Sequence, residues 1–440
     1  MISAQDVTNR RVLRIAVPIV LSNATVPILG AVDTGVVGQM GLAAPIGAVG
    51  IGAVILASVY WIFGFLRMGT SGLVAQAHGA GDEAESGAIL MRALMIGAAA
   101  GLLFILLQVP IATLAFRLAP ASDEVEQLAR AYLSLRIWGA PATIGLYAIT
   151  GWLIALERTR GVLLLQLWMN GLNIGLDLWF VLGLGWGVEG VAIATLIAEW
   201  SGLMLGLWLC RPAFRNGRWR AWARIFDRLR LLRMLSVNTD IMIRSVVLQG
   251  SFTTFIFLGA GFGDVTLAAN QVLLQFLEIT AYALDGFAFA AEALVGQAVG
   301  ARSRDAVRRS AWLTSLWGMG AAAVLALAFL VFGPLIIDTM ARDSEVQAAA
   351  RLYLPWIALG CLVSLAAYMF DGIFIGATAT REMRNATLGS VAVYGIVIVL
   401  LVPQWENHGL WAALMVLNIM RGLTLWAYYP RLERRIALPA

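Results

Sequence analysis

Two carboxylates within long apolar segments are the residues best able to do chemistry. Asp33 follows an apolar run that begins near Ile15, and Asp177 lies in the stretch NGLNIGLDLWF. A charged side chain at the centre of a bilayer costs about 2.5–3.5 kcal/mol on insertion scales. Such residues are therefore candidates for function, and a carboxylate whose neutral form is favoured by burial can carry a proton.

The neighbours of both acids refine this prediction. Asn173 and Asp177 stand four residues apart and share one helix face, where their oxygens could hold a proton or coordinate Na⁺. A helix-packing polar cluster, worth about 0.6 kcal/mol per hydrogen bond, is the alternative. Asp33 lies beyond Pro18 and Pro27, each of which removes a helix hydrogen bond and can act as a hinge. The alternative for Asp33 is an interfacial carboxylate at the outer end of its span.

A second group of acids lies in the other half of the chain. Glu278, Asp285 and Glu292 recur every seven residues, roughly on one helix face, and Asp371 lies in a later apolar segment. Such a stripe would line a cavity that attracts cations, so Glu278, Asp285 and Asp371 are candidates for substrate or second-cation binding. Glu292, near the end of its segment, could instead be solvated.

The composition decides which solvent surrounds the elements that carry these residues. Hydrophobic residues make up 60% of the 440 and charged residues only 13%, with a mean hydropathy of +0.82. A soluble domain is nearer half apolar and a quarter charged, so we expect an integral membrane protein. A span-length window predicts twelve transmembrane segments, near residues 14–38, 46–77, 87–110, 125–156, 161–183, 188–210, 237–260, 265–298, 307–332, 346–376, 385–403 and 408–430.

Arginine-rich connections fall on one side of these segments. By the positive-inside rule, both termini are expected in the cytoplasm of a bacterial or archaeal cell, with the multi-pass chain in the inner membrane. The acidic loop 78–85 is the exception on that side. The basic stretch 211–233 is expected to be a solvated, lipid-touching linker. No cleaved signal peptide is expected from the first residues.

The two halves of the chain are related by a constant shift of 221 residues. LVAQAHGA at 73–80 matches LVGQAVGA at 294–301, and ARAYL at 129–133 matches ARLYL at 350–354. Six spans per half give both halves the same orientation. The predicted fold is therefore all-α, with two six-helix bundles related by a pseudo-twofold axis along the membrane normal. We expect an N-terminal bundle over 1–210, a cytoplasmic linker over 211–236 and a C-terminal bundle over 237–440.

Several stretches together resemble the multidrug and toxic compound extrusion (MATE) family, and most closely its DinF-like branch. They are RIAVPIVLSNATVPILGAVDTGVVG, LVAQAHGAG, NGLNIGLDLWFVLGLGWGVEGVAIAT and AYALDGFAFAAEALVGQAVGAR. The resemblance implies efflux of bulky cationic or amphipathic compounds, driven by inward H⁺ or Na⁺. It also implies that Asp33 is the protonatable residue, that Asn173 and Asp177 connect to it, and that Thr195 is a nearby hydroxyl.

The sequence favours proton-driven antiport over the alternatives. Leu29, one turn before Asp33, leaves that face without a polar partner, which favours H⁺ over Na⁺. A lipid-linked precursor flippase would need cationic residues for a pyrophosphate, but acids outnumber the arginines found within spans, namely Arg67, Arg92, Arg136 and Arg244. Of these, Arg244 is expected to pair with Asp240, four residues earlier.

Other function classes find little support. Two histidines and two cysteines form no nucleophile–base pair or metal constellation, so we expect neither an enzyme nor a metal site. No Walker A loop is found, and no cofactor is expected beyond the coupling ion, H⁺ or possibly Na⁺. The expected partners are small amphipathic or cationic compounds and the lipid bilayer, with no nucleic acid, and the chain is expected to be a monomer.

Overall fold

A computed structural model describes residues 3–39, 43–118 and 121–437, and every regular element in those ranges is helical. Within the helices, the side chain of Asp33 and those of a few other residues lie outside the described part. The helices are α1 (Asn9–Ala24), α2 (Val26–Gly38), α3 (Ala43–Trp61), α4 (Gly64–Gly79), α5 (Glu83–Leu106), α6 (Gln108–Leu118), α7 (Asp123–Arg136), α8 (Ala140–Ala155), α9 (Thr159–Asp177), α10 (Gly187–Leu209), α11 (Trp222–Ile225), α12 (Arg228–Ala260), α13 (Asp264–Gly300), α14 (Arg304–Met340), α15 (Ser344–Gly376) and α16 (Thr380–Ala437).

Polar caps and one glycine set the ends of the long helices. The Asp82 carboxylate accepts a hydrogen bond from the Glu85 amide at 3.0 Å, and Asp343 accepts one from the Glu345 amide at 2.7 Å. Such caps satisfy amides that have no partner inside the helix. Gly263 precedes α13 with φ +94°, a conformation that glycine adopts without steric cost.

The predicted spans correspond to helices throughout the described ranges. Nine helices there are long and apolar enough to cross a membrane. The last of them, Thr380–Ile436, contains two predicted spans, because Glu406 has non-helical angles (φ 47°, ψ −124°) and breaks α16 there. The two remaining spans are the first and the fifth, whose helices are interrupted. These are the spans that carry Asp33 and Asp177.

Packing divides the chain into two compact units, each with its own core. Unit one comprises Met1–Val20, Ala75–Gly81 and Arg233–Ala440, and unit two comprises Leu21–Val74 and Asp82–Leu232. In unit one, edge-to-face aromatic pairs such as Phe255 with Trp411, at 4.7 Å between ring centroids, fill the core. Boundaries between the two units fall inside α1 and α4. The bundles predicted over 1–210 and 237–440 follow chain order instead, and they stay a prediction.

Within unit one, the repeated glutamine–glycine segments cross at very short range. A Cβ atom on Gly79 would lie 2.0 Å from the carbonyl oxygen of Gln297, and a Cβ atom on Gly300 would lie 2.0 Å from that of Gln76. Only glycine permits backbones to approach so closely. The ends of α4 and α13 therefore contact each other reciprocally, as equivalent parts of an internal repeat can.

The basic linker is packed against unit two, unlike the solvated segment expected from its composition. Buried Arg92 donates from Nε to the carbonyl oxygen of Ile225 at 2.8 Å and from Nη2 to that of Arg224 at 2.6 Å. Asp82 accepts from Arg224 at 2.7 Å, and Glu85 pairs with Arg92 at 2.9 Å. The acidic loop that breaks the positive-inside pattern thus supplies carboxylates to the arginines of the linker.

Candidate functional site

Asp177 is the last residue of α9 and lies at a change of helix type. Its side chain is fully buried, and Asn173, one turn earlier, is 1% exposed. The next six residues, Leu178–Gly183, form a π-helix. Single π-turns inside α-helices often occur at functional sites, because the wider turn alters which side chains face inward. The predicted common face of Asn173 and Asp177 therefore lies inside the protein, directly before this irregular turn.

Thr195 of α10 contacts this face. Asn173 Nδ2 donates to Thr195 Oγ1 at 3.2 Å, and Thr195 Oγ1 donates to the carbonyl oxygen of Val191 at 2.9 Å. The other amide atom, Asn173 Oδ1, is buried and accepts no hydrogen bond from the described residues. Asn173, Asp177 and Thr195 thus bring amide, carboxylate and hydroxyl oxygens to one region between α9 and α10, and we call these three residues the α9–α10 polar cluster.

The residue at the break in the first predicted span, Thr25, is hydrogen-bonded to α9. Thr25 separates α1 from α2, and its hydroxyl donates to the carbonyl oxygen of Ser22 at 2.7 Å. Asn170 Nδ2 donates to Thr25 Oγ1 at 2.9 Å, and Gln166 Nε2 donates to Asn170 Oδ1 at 3.1 Å. Sequence reasoning missed Thr25. A hydroxyl residue directly before Val26 and a proline was the available signal for a new helix start.

The first-span residues lie on both sides of this break. Pro27 is in the first turn of α2, which fits its missing amide, whereas α1 continues through Pro18. Asp33 lies in α2, and α2 packs against α9 and α10. Its side chain lies outside the described part of the structure. The described geometry therefore brings the helix of Asp33 into contact with the two helices that carry the α9–α10 polar cluster.

The acids of the second half are arranged differently. Buried Asp371 Oδ2 accepts from Arg244 Nη1 at 2.5 Å and from Arg421 Nη2 at 2.6 Å, and Arg421 Nη1 also donates to Asn418 at 3.1 Å. Arg421 was missing from the in-span arginines counted from the sequence. Two guanidinium groups beside one carboxylate make Asp371 a poor cation ligand, because their positive charges repel a cation.

The predicted pairing of Asp240 with Arg244 is wrong. Asp240 accepts instead from Arg384 at 2.6 Å and from the Thr380 hydroxyl at 3.2 Å, both at the start of α16. Neighbouring positions on one helix favour a pair only when no other helix presents a better partner. Here α15 presents Asp371 to Arg244, and α16 presents Arg384 to Asp240.

The stripe on α13 runs from the surface into the core. Glu278 is exposed, Asp285 is half-buried, and Glu292 is fully buried rather than solvated. The stripe thus changes environment along its length. Asp285 and Glu278 lie on the more accessible part of it.

The buried arginines of unit two have structural partners. Arg136 donates to both carboxylate oxygens of Glu199, at 2.7 and 2.9 Å. Arg92 holds the linker, as described above. Two parallel hydrogen bonds between a guanidinium and a carboxylate are a strong and directional pairing. These two cations are therefore engaged within the protein.

Comparison with known proteins identifies relatives of the whole chain. The MatE family model matches two successive stretches, residues 18–179 and 241–401. DNA damage-inducible protein F of Escherichia coli is 38% identical over 432 residues, covering 96% of this chain and 92% of that protein. A probable multidrug resistance protein NorM of Pasteurella multocida is 23% identical, covering 94% of this chain and 92% of that protein.

Solved structures share the fold at low sequence identity. The MATE transporter VcmN of Vibrio cholerae, in its bent form, has a TM-score of 0.85 at 19% identity and covers 97% of each chain. A MOP superfamily transporter from Pyrococcus furiosus has a TM-score of 0.85 at 17% identity, covering 98% of this chain and 97% of that one. These likenesses confirm the predicted all-helical membrane fold, and the twelve-helix, two-bundle arrangement fits them.

Proposed function

The chain belongs to the MatE family, and from that premise we propose that it is a secondary active antiporter that exports organic cations or amphipathic compounds in exchange for H⁺. Its relatives include a multidrug resistance protein and DNA damage-inducible protein F, so efflux is the function that the family membership supports. We propose that it acts as a monomer in the cytoplasmic membrane of a prokaryote, with both termini in the cytoplasm.

The observation that carries the coupling proposal is the α9–α10 polar cluster. A buried carboxylate, Asp177, lies one turn from an amide that is hydrogen-bonded to Thr195, at the end of an interrupted helix. In our proposal Asp33, on the neighbouring α2, takes up a proton, and the cluster holds its side chain in the neutral state. Loss of the proton would then leave a negative charge on Asp33, and this charge would interact differently with the groups of the site.

The break at Thr25 gives the proposal a mechanical element. Thr25 separates α1 from α2, and its hydroxyl accepts a hydrogen bond from Asn170. Because the helix is already broken at this point, α2 can change its angle without unfolding α1. Protonation of Asp33 changes its interactions with neighbouring polar groups and so favours one angle of α2. A ligand shifts such an equilibrium only by its different affinities for the two states, which is the coupling between proton and cargo.

Two alternatives remain within the family of membrane transporters. Carboxylate, amide and hydroxyl oxygens also suit a hard cation, so Na⁺ coupling through the same cluster is the first alternative. A lipid-linked precursor flippase is the second. Three of the four in-span arginines counted from the sequence are engaged, Arg136 with Glu199, Arg244 with Asp371 and Arg92 with the linker, which favours cationic cargo over a flippase that binds pyrophosphate within the spans.

The test is ion movement in everted membrane vesicles when a cationic dye is added, with and without Na⁺. We expect dye-dependent release of protons from vesicles without Na⁺, and loss of that release in Asp33→Asn. Movement that requires Na⁺ would support the first alternative. Movement that survives Asp33→Asn would refute the role of Asp33 and leave Asp177 or the acids of the second half as carriers.

A further inference from the structure

A large cavity opens at one end of unit one. Its volume is about 720 Å³, within the range of small-molecule pockets. The ends of α4, α13 and α15, the start of α12 and both ends of α16 enclose it. This is the end of the unit that carries the arginine-rich connections, which the positive-inside rule assigns to the cytoplasm.

The lining of this cavity is strongly cationic. Its charged members are two carboxylates, Asp240 and Glu382, and five arginines, namely Arg233, Arg302, Arg381, Arg431 and Arg435. Both carboxylates are already engaged, Asp240 by Arg384 at 2.6 Å and Glu382 by Arg435 at 2.5 Å.

Among the described residues, the other four arginines of the lining form no ion pair. Arg233 donates to the neutral amide oxygen of Gln76 at 2.9 Å, and Arg431 lies 5.5 Å from the Tyr428 ring. No carboxylate of the described ranges lies within ion-pair distance of these two arginines, and the same holds for Arg302 and Arg381. The cavity therefore concentrates positive charge on a concave surface.

Arg302 has a backbone conformation that makes it unusual. Its φ is +55°, in the left-handed region that side chains other than those of glycine and asparagine rarely adopt. At the internal-repeat shift of 221 residues, Arg302 corresponds to Gly81, whose φ is +76°. The first half thus has glycine where the backbone requires it, whereas the second half keeps an arginine there at a cost. Strained non-glycine residues cluster at ligand sites.

The rest of the cluster is also specific to the second half. At the same shift, Arg233, Arg431 and Arg435 correspond to Val12, Cys210 and Phe214, and only Arg381 has an arginine counterpart, Arg160. Membrane orientation alone requires basic residues on this side of both halves. It does not require several of them around one cavity.

We propose that this cavity binds a phosphate-bearing anion. The planar guanidinium forks of Arg302, Arg381 and Arg431 match the oxygens of a phosphate, and two or more arginines suit a diphosphate or a pair of neighbouring phosphates. The phosphates come either from the headgroup of an anionic phospholipid or from a soluble phosphorylated compound. The site shares no residue with the proposed coupling cluster, so it does not depend on the antiport proposal.

The substitution Arg302→Gly removes a cationic side chain and also relieves the unfavourable backbone angle at this position. The test variant combines it with Arg381→Gln. Binding is measured with inorganic pyrophosphate on the purified full-length protein, and with cardiolipin against phosphatidylcholine in nanodiscs, both near physiological salt so that weak surface attraction is screened. We expect Arg302→Gly/Arg381→Gln to weaken binding of the preferred probe at least tenfold, with a melting temperature no lower than that of the parent protein. The control is Arg434→Gln, on the same end of α16 but outside the cavity lining, and its affinity should change less than twofold.

The outcomes separate the proposal from a generally basic surface. Saturable binding of either probe that the double variant loses and the control keeps supports the site, and the tighter probe identifies the source of the phosphate. Absence of saturable binding for both probes refutes it. Equal loss of binding in Arg434→Gln and in the double variant also refutes it, since the attraction would then be one of overall charge.

Discussion

The hydroxyl of Thr195 is the member of the α9–α10 polar cluster that can be altered with least change in shape. It accepts from Asn173 Nδ2 at 3.2 Å and donates to a carbonyl of its own helix. A carboxylate that changes protonation state needs neighbours held in fixed positions, since small shifts alter which state is favoured. Thr195 is therefore a positioning residue in our account.

We predict that Thr195→Val slows dye transport several-fold while the protein remains folded. Valine keeps the shape but leaves the Asn173 amide without its acceptor, a buried loss of about 1–3 kcal/mol. The measurement is the initial rate of dye efflux per amount of protein, and the apparent proton affinity of transport should shift with it. Thr253→Val is the matched control, because that exposed hydroxyl bonds only to its own helix carbonyl. Equal rates in both variants would contradict the positioning role.

Asp371 is a buried carboxylate with a structural role, because it links its own helix to two others. It joins α12 to α15 and α16 through Arg244 and Arg421, and both arginines are almost fully buried. Removing one charge from a buried ion pair is costly because the partner remains desolvated. The Asp371 carboxylate therefore compensates charge on both guanidinium groups.

We predict that Asp371→Asn lowers the free energy of unfolding by about 3–5 kcal/mol. The measurement is denaturant titration of the purified protein in mixed micelles. Asp338→Asn breaks the surface pair with Arg351, whose side chain is 46% exposed, and should cost at most about 1 kcal/mol. A stable Asp371→Asn variant that loses transport would instead indicate a role in binding cation or cargo.

Among the structural elements, the linker differs most from its predicted environment, because it is packed against α5 and not solvated. Basic and polar, it has the composition of a solvated connection, yet α11 and the residues around it are held to α5 by backbone and side-chain contacts of Arg92, Asp82 and Glu85. Arg92 is 3% exposed and occupies the centre of this contact. The linker thus stiffens one end of α5.

We predict that Arg92→Gln releases the linker. Because glutamine cannot reach both carbonyl oxygens that Arg92 now binds, residues 211–233 should be cleaved by trypsin at least ten times faster in the variant. The readout is the rate of appearance of two half-length fragments under native conditions. Arg130→Gln is the control, because Arg130 pairs with Glu126 on α7 and lies outside the linker, and it should leave that rate unchanged. Similar cleavage rates for the parent and Arg92→Gln would show that the linker is already exposed.

Prediction from sequence succeeded for elements whose signal is local and failed where partners come from different helices. The twelve apolar segments, the interruption before His408 and the shared face of Asn173 and Asp177 follow from residue spacing alone. The partners of Arg244 and Asp240 do not, because their choice depends on which helices are neighbours. Neither does the break at Thr25, since a single hydroxyl residue inside an apolar run is a weak signal.

At the scale of the whole molecule, the two halves share a fold but have different polar residues. At the repeat shift, Asp33 corresponds to Thr254 and Asp177 to Ile398, while the arginines that line the cavity of unit one all belong to the second half. In our account the first half carries the coupling ion, and the second half is stabilised by charge pairs such as that of Asp371. We propose that this division of roles underlies the coupling of transport to the ion.

The most direct test measures proton movement in proteoliposomes that contain the purified protein and a pH-sensitive dye, when a cationic substrate is added. The variants are Asp177→Asn for the first half and Glu278→Gln for the second, with Asp338→Asn as a surface control. We predict that Asp177→Asn abolishes substrate-coupled proton movement, while Asp338→Asn retains it. Loss of coupling in Glu278→Gln together with full coupling in Asp177→Asn would contradict it and assign the coupling ion to the second half.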